Sequence, residues 1–394
     1  MIEPSKTLFP ASAIDKNSIL YYVTHYEHII KKLDLSTGEV EYIDSPKEFD
    51  LKFWDGIDKL FWCNDILYLF EQNGKRILKY SLLEKVSKCI NLNCTTYLWD
   101  NWVSCSIYNN CIFAFQSFAN QVVKIDFQAN RVKKQKIGLE ISYNFEQENE
   151  IYTFENKKLN IPHKLYSCSY QIGNDIWLFT EKLQVVVKYN LITEKGIKCE
   201  LPDEIKGCIH AVWYKKIFYI LSIDGNVFSW NYLNNHVVCL FDSKGEFQYP
   251  FFYKLAITDK NIWILPSLGK DIFVIDLENL KEKKYSAYPE DFCYIGGSSR
   301  SKYYGYSEDI MNYYFAMHSA NYLLIINKTD GKAKWIRPKE PDFNKQINYY
   351  QKKDRIQFEK AELGLKEFIF FTSERDRLEI IKEKQIGKFI WNIF

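Results

Sequence analysis

One pattern recurs along most of the 394 residues: two short apolar runs joined by a turn and followed by a more polar run. In its clearest copy, residues 262–265 form the first run, 266–270 the turn and 272–275 the second run. β-Branched and aromatic residues fill both runs, which is typical of β-strands. Three strands on tight connections predict an antiparallel meander, which cannot bury both of its faces alone.

Two landmarks define the repeat. The first runs begin at Ile19, Ile66, Ile112, Ile176, Ile217, Ile262 and Tyr313. A polar residue ends each second run, at Asp34, Ser81, Asp126, Asn190, Asn231, Asp276 and Asn327. The first landmarks lie 47, 46, 64, 41, 45 and 51 residues apart, and the second 47, 45, 64, 41, 45 and 51. Because the two separately placed landmarks recur at nearly the same intervals, the pattern is a true repeat and not a chance alternation of apolar and polar residues.

A period of about 40–50 residues with four short strands in each unit is typical of β-propellers. On these repeats the chain resembles the β-propeller superfamily over roughly residues 7–340, without the WD40 dipeptides, the repeated kelch glycine pairs or the sialidase aspartate box. The resemblance implies an all-β, seven-bladed β-propeller in which each blade buries both faces against its neighbours. The polar landmarks are expected to accept backbone N–H bonds in the turn that follows, as in residues 33–38 and 327–331.

Three segments fall outside the regular repeat. Residues 9–14 are expected either to be the inner strand of the first blade or to pair with the last blade and close the ring. The long step between blades three and four predicts an insertion at about 139–164, either over one mouth of the ring or as a surface hairpin. Residues 341–394 form a separate tail. Apolar residues at helical spacing predict α-helix over about 360–394, docked on the propeller or on a partner.

Net charge and cysteine content limit the classes of function and the locations that the sequence favours. The 52 basic and 50 acidic residues give a net charge of +2, which provides no electrostatic basis for binding nucleic acid. No apolar run reaches the roughly 18 residues of a membrane span, and residues 1–15 lack the apolar core of a secretory signal. The ten cysteines include no CxxC motif, and most lie in expected strands. This favours free thiols and a cytoplasmic location over a disulfide framework.

Aromatic residues crowd the expected loops that join the outer strand of one blade to the inner strand of the next. Beside carboxylates and amides, their faces suit sugar rings, cations or peptide side chains. The alternative is that they wedge between blades as core. The residues predicted to bind a ligand are Trp54, Asp55, Trp99, Asp100, Trp102, Phe247 and Tyr249. A further loop of this kind spans residues 288–292.

Signatures of catalysis are scarce. His25 and His318 lie at near-equivalent turns of the first and last blades, as a metal or acid/base pair or as two exposed turn residues. No nucleophile elbow, P-loop, HExxH or dinucleotide glycine motif occurs, so neither a metal nor a cofactor is predicted. The polar residues expected on inner strands are few and mostly neutral: Ser104, Cys105, Ser106, Ser167, Cys168, Ser169, His210 and Lys254.

These features favour a non-catalytic recognition module that binds a protein or peptide partner through one loop face. One alternative is a propeller lyase or hydrolase with its site in the channel. Some antibiotic-cleaving lyases are propellers with channel histidine and glutamate, but no residue-by-residue match is found in this sequence. The other alternative is a carbohydrate-binding protein that uses the aromatic loops. The few ionisable residues on the inner strands disfavour acid/base chemistry.

Overall fold

The repeats fold as seven four-stranded antiparallel sheets in a computed structural model, which confirms the predicted all-β, seven-bladed propeller. The structure describes residues 11–15, 19–23, 29–44, 46, 57–71, 76–92, 102–126, 131–138, 141, 149–154, 157–162, 164–244, 252–266, 271–292, 305–316, 322–339 and 341. Within these ranges no helix is long and apolar enough to cross a membrane. The predicted helical tail and both turn histidines, His25 and His318, lie outside the described residues.

The first three blades precede the insertion. Blade 1 contains β1 Ala11–Ile14, β2 Ile19–Val23, β3 Ile30–Asp34 and β4 Val40–Asp44. Blade 2 contains β5 Ile57–Cys63, β6 Ile66–Glu71, β7 Arg76–Ser81 and β8 Val86–Asn91. Blade 3 contains β9 Trp102–Tyr108, β10 Cys111–Gln116, β11 Gln121–Asp126 and β12 Arg131–Lys136. The insertion contributes a separate hairpin, β13 Asn149–Phe154 and β14 Lys157–Pro162.

Four blades follow the insertion. Blade 4 contains β15 Tyr166–Ile172, β16 Asp175–Thr180, β17 Val185–Asn190 and β18 Lys195–Glu200. Blade 5 contains β19 His210–Tyr214, β20 Ile217–Leu221, β21 Val227–Asn231 and β22 His236–Phe241. Blade 6 contains β23 Phe252–Ile257, β24 Asn261–Pro266, β25 Phe273–Asp276 and β26 Glu282–Lys284. Blade 7 contains β27 Gly305–Glu308, β28 Asn312–Ala316, β29 Leu323–Asn327 and β30 Ala333–Ile336.

The core lies between the blades. The apolar first runs form the second strand of every blade, and β10 is buried along its whole length. Apolar clusters fill each interface between neighbouring blades, and one of them packs Leu20 and Tyr22 of blade 1 against Tyr314 and Leu323 of blade 7. Burying a large apolar side chain contributes roughly 1.5–3 kcal/mol. Side-by-side packing of whole blades therefore holds the ring together.

Ring closure uses no strand shared between the first and last blades. β1 pairs with β2 and is the inner strand of blade 1, as the first of the two alternatives predicted. The Lys339 N–H donates to the Gly38 carbonyl at 2.7 Å across the junction of blades 7 and 1. The Gly196 N–H donates to the Ile137 carbonyl at 3.1 Å across the junction of blades 3 and 4. A β-carbon at either glycine would lie within 2.9 Å of a backbone oxygen of the neighbouring blade.

The predicted turn chemistry is confirmed in six blades. The side-chain oxygens of Asp34, Ser81, Asn190, Asn231, Asp276 and Asn327 all accept backbone N–H bonds from the turn that follows. The seventh landmark, Asp126, precedes a turn outside the described residues. Four residues beyond each of the six, the backbone has positive φ, at Gly38, Lys85, Glu194, Asn235, Leu280 and Gly331. Only two of those positions carry the glycine that this conformation favours.

Lys85 offers a direct test of the energetic cost of this positive-φ conformation in a residue other than glycine. Its φ is 54° and its side chain is exposed. Relieving a left-handed conformation outweighs the greater chain entropy of glycine, so Lys85→Gly should raise the free energy of unfolding by about 0.5–1 kcal/mol. Denaturant unfolding measures the change. Glu84→Gly in the same turn, where φ is not positive, should lower that free energy, and equal effects of the two changes would contradict the assignment.

Candidate functional site

The central channel brings together side chains from blades that are not neighbours. His210 begins β19 in blade 5, and its ring meets the ring of Tyr306 in blade 7 with centroids 5.2 Å apart and planes at 77°. Blade 6 lies between them, so this contact crosses the end of the channel. Lys254 of blade 6 completes the group, with its Nζ 5.7 Å from the centre of the Tyr306 ring.

The main chain fixes the hydrogen-bonding state of His210. The Leu255 N–H donates to His210 Nδ1 at 3.2 Å. A neutral imidazole that accepts at Nδ1 carries its proton on Nε2. Burial lowers the pKa of His210 well below its ordinary value of 6.5, and the nearby charges of Lys254 and Lys59 lower it further. At neutral pH, His210 is therefore an uncharged donor.

Tyr306 supplies a second donor. Its hydroxyl is buried and forms no well-aligned hydrogen bond with a described residue, although the Glu308 carboxylate lies close to it. Burial raises the pKa of Tyr306 well above 10, and the charge of Glu308 adds to the effect. The hydroxyl therefore keeps its proton. Orphaned buried hydroxyls are costly, and each calls for a reason such as an unseen ligand or water.

The donor cluster is defined here as Lys59, His210, Lys254 and Tyr306. All four lie near the start of an inner strand, and Lys59 and Lys254 each follow a β-bulge. Bulges occur next to functional sites because they re-aim the side chain that follows them. Inner strands start where the connections from the preceding outer strands arrive. This end of the channel is called the long-loop mouth, and it is where the sequence placed its predicted ligand site.

Farther along the channel, an acidic side chain takes the place of the basic ones. Glu308, at the end of β27, accepts a bond from Lys328 Nζ at 2.7 Å. Burial raises the pKa of Tyr170 in blade 4, and the Glu308 carboxylate raises it further from across the channel. Glu308 therefore has a cationic partner of its own, whereas the described side chains of the donor cluster are hydrogen-bond donors. In the part of the chain described, no group of three or more His, Cys, Asp or Glu residues could hold a metal ion.

Of the seven residues predicted to bind a ligand, the structure describes one. Trp102 is buried, with 1% of its surface exposed. Its Nε1–H donates to the Glu71 carbonyl at 3.1 Å, and its ring meets Phe70 edge-on at 5.3 Å. It wedges between blades 2 and 3, as the core alternative holds. The other six, Trp54, Asp55, Trp99, Asp100, Phe247 and Tyr249, lie outside the described residues, and their role stays a prediction.

A second aromatic loop behaves like Trp102. The Tyr288 ring lies 5.5 Å from Trp335 of blade 7 and 5.0 Å from Phe292. Asp291 accepts a bond from the Tyr322 hydroxyl at 2.5 Å and pairs with Arg337. These residues join blades 6 and 7. Where aromatic loops are described, their rings brace the junction between blades.

Sequence reasoning named His210 and Lys254 as inner-strand residues but missed Lys59, Tyr306 and Glu308. A positional signal was available, because the donor cluster lies seven or eight residues before the first run of each blade. Lys59, His210 and Tyr306 lie seven residues before it, and Lys254 lies eight. The spacing of residues in the sequence did not predict the contact across the channel between blades 5 and 7.

Comparisons with known proteins identify the fold and nothing finer. No family model and no curated protein matches the chain. Among solved structures, streptogramin B lyase is similar with 12% identity and a TM-score of 0.53, over 81% of this chain and 93% of the lyase. A catalytically inactive histidine-to-alanine variant of virginiamycin B lyase from Staphylococcus aureus, with quinupristin, gives 11% identity and a TM-score of 0.54, over 81% and 95%.

A third similar structure has a different role. PorZ, a surface component of the type-IX secretion system of Porphyromonas gingivalis, gives 9% identity and a TM-score of 0.50, over 85% of this chain and 39% of PorZ. At such identities, structural similarity carries the propeller fold but not a shared activity.

The position of Trp102 predicts a stability effect. Trp102→Ala removes a buried ring and the partner of the Glu71 carbonyl, so it should lower the free energy of unfolding by about 3–5 kcal/mol. Denaturant unfolding checks this. Leu83→Ala, at a side chain that is 79% exposed, should change that free energy by less than about 0.5 kcal/mol. A Trp102→Ala protein as stable as the Leu83→Ala control would show that the ring is not core.

The lowered pKa of His210 predicts a pH dependence. Below about pH 6.5 the unfolded chain takes up a proton at this residue that the folded chain excludes. The free energy of unfolding therefore falls with decreasing pH, by up to about 1.4 kcal/mol per pH unit from this group. Urea unfolding between about pH 5 and pH 7.5 should show a shallower dependence in His210→Gln than in wild type. Equal slopes would contradict the lowered pKa.

Proposed function

We propose that this propeller is a non-catalytic recognition module that binds a protein or peptide partner at the long-loop mouth. The donor cluster receives a carboxylate of that partner. The observation that carries the proposal is the contact of His210 and Tyr306 across the channel beside Lys254. Two uncharged donors and an ammonium group from three different blades converge there.

The chemistry of the cluster matches a carboxylate. Its four members donate hydrogen bonds, and two of them carry positive charge. No carboxylate in the described part of the chain forms an ion pair with Lys59. An ionised carboxylate accepts several bonds at once, and charge-assisted bonds are the strong ones. In the buried surroundings of the channel, such an acceptor would satisfy the Tyr306 hydroxyl and His210 Nε2.

A rigid ring with many loops at one mouth favours a large ligand. Packed blades hold the donors in place, so little order is lost when a ligand binds. Around the mouth, the predicted loop residues Trp54, Trp99, Phe247 and Tyr249 would contact apolar side chains of the partner, and Asp55 and Asp100 its polar groups. An acidic side chain or a terminal carboxylate would then enter the channel as the anchor.

In the lyase or hydrolase alternative, His210, Tyr306 and Glu308 are all poor candidates for the base. His210 cannot abstract a proton through Nδ1, which the Leu255 N–H occupies, or through Nε2, which carries the proton. Tyr306 holds its proton because burial and Glu308 raise its pKa. Glu308 is engaged by Lys328. The carbohydrate alternative needs aromatic rings that face a sugar. The rings of Trp102, Tyr288 and Phe292 do not serve this purpose, because they pack between blades.

A panel of synthetic peptides tests the carboxylate anchor. Each peptide is made with a free C-terminus or a C-terminal amide, and with Asp and Glu or with Asn and Gln inside. Fluorescence anisotropy should show binding of acidic or free-acid peptides and at least about tenfold weaker binding of the matched neutral ones. Lys254→Met should weaken binding by a similar factor, and Trp99→Ala should weaken it through the loops.

The controls separate the alternatives. Lys260→Met removes an exposed lysine from the far end of blade 6 and should leave peptide binding unchanged. Equal binding of acidic and neutral peptides, or of wild type and Lys254→Met, would refute the carboxylate anchor. Quinupristin should keep its chromatographic retention and its fragmentation pattern after incubation with the protein, since a ring-opened product, which elimination leaves at the same mass, would favour the lyase alternative. A glycan array should retain nothing, since a bound glycan would favour the carbohydrate alternative.

A further inference from the structure

Two cysteines meet beside the donor cluster. Cys168 is the third residue of β15 in blade 4, and Cys208 lies two residues before β19 in blade 5. Their Sγ atoms are 3.7 Å apart and both side chains are buried. No disulfide joins any of the eight cysteines that the structure describes. The pair therefore stands as two cysteines joined by a sulfur–sulfur hydrogen bond, 40 residues apart in the chain.

We propose that Cys168 and Cys208 form a dithiol–disulfide site that peroxide oxidants close. This inference does not depend on the proposed ligand. A disulfide has an S–S distance of roughly 2.0 Å, so the sulfurs must approach by about 1.7 Å. Neither sulfur is held in a disulfide, so rotation about the two χ1 angles is available for this approach.

The backbones on both sides of the pair are held firmly. The Cys208 N–H donates to the carbonyls of Thr180 at 3.0 Å and Glu181 at 3.1 Å. The Ser167 hydroxyl donates to the Cys208 carbonyl. These bonds connect the segment that leads into blade 5 to the first two strands of blade 4. The two sulfurs are thus kept adjacent by the packing of blades and do not meet by chance fluctuation.

The two thiols have different roles. Burial opposes ionisation of Cys168, but the bond from the Cys208 thiol and the positive charge of Lys254 outweigh it and lower the pKa of Cys168. Burial raises the pKa of Cys208 well above 9, and the bond to Cys168 adds to it. Cys168 keeps 6% of its surface exposed and Cys208 none. A thiolate that retains some access reacts first, which makes Cys168 the attacking sulfur and Cys208 the resolving one.

The reaction balances with peroxide as the oxidant. The Cys168 thiolate attacks one peroxide oxygen; an S–O bond forms, the O–O bond breaks, and hydroxide leaves and takes up a proton to become water. This gives a sulfenic acid. The Cys208 sulfur then attacks the Cys168 sulfur; the S–S bond forms, the S–O bond breaks, and the hydroxide leaves with the Cys208 proton as a second water. Two electrons pass from the sulfur pair to hydrogen peroxide.

Closure would fasten the inner strand of blade 4 to the segment that carries His210, two residues after Cys208. A cross-link over 40 residues restricts the unfolded chain and stabilises the fold. The melting temperature should therefore rise by a few degrees on oxidation and return on reduction.

Mass spectrometry of the full-length protein tests the proposal. The protein is treated with hydrogen peroxide, acid-quenched, unfolded, alkylated with N-ethylmaleimide and digested without reduction. We expect a peptide pair joined through Cys168 and Cys208 that dithiothreitol separates, and an intact protein about 2 Da lighter. Recovery of both residues with the alkyl group attached, after peroxide has oxidised other thiols, would overturn the proposal.

Two variants test which cysteines form the cross-link. Cys208→Ala should abolish the cross-link and leave Cys168 as a sulfenic acid that dimedone labels. Cys199→Ala, at another blade 4 thiol on β18, should leave the cross-link intact. Loss of the cross-link in Cys199→Ala would show that the bond formed on oxidation involves Cys199 and not the proposed pair. Because the wild-type measurement needs no substitution, the proposal stays testable even if Cys208→Ala fails to fold.

Discussion

The structure depends on the burial of both faces of every blade against its neighbours. A four-stranded sheet of this composition has two apolar faces, and a single blade can cover neither of them. Radial packing solves the problem only if the last blade also covers the first. Here that contact is made by side chains such as Tyr22 and Tyr314 and by the backbone bond from Lys339 to Gly38. Because no strand is shared, the closing junction is built like the other junctions.

Packing between blades also creates the candidate site. Seven inner strands that are held rigidly by the blades behind them place side chains around a narrow channel, where groups from blades 5, 6 and 7 meet. Their burial has two effects on the chemistry. It keeps His210 neutral and Tyr306 protonated, and it makes an unsatisfied donor costly. The same packing holds Cys168 against Cys208, so one rigid scaffold underlies both the proposed receptor for a carboxylate and the proposed site of oxidation.

Much of the fold could be predicted because it is local and repeated. The landmarks gave the seven blades, and the turn residues after Asp34 and Asn327 accept the bonds expected of them. The site was less accessible, since Tyr306 meets His210 through the ring as a whole and not through any local pattern. Loop aromatics were ambiguous for a related reason: a tryptophan such as Trp102 serves equally well as core or as ligand surface, and only its neighbours decide.

Hydrogen–deuterium exchange measured by mass spectrometry tests most directly the claim that the ring closes through packing of blade 7 on blade 1. If it does, the amides of β2 and β28 are buried in one cooperative unit with the other second strands. They should then exchange as slowly as those of β10 and β16. Fast exchange confined to the first and last blades would show that the junction is open and that the ring is not the unit of stability.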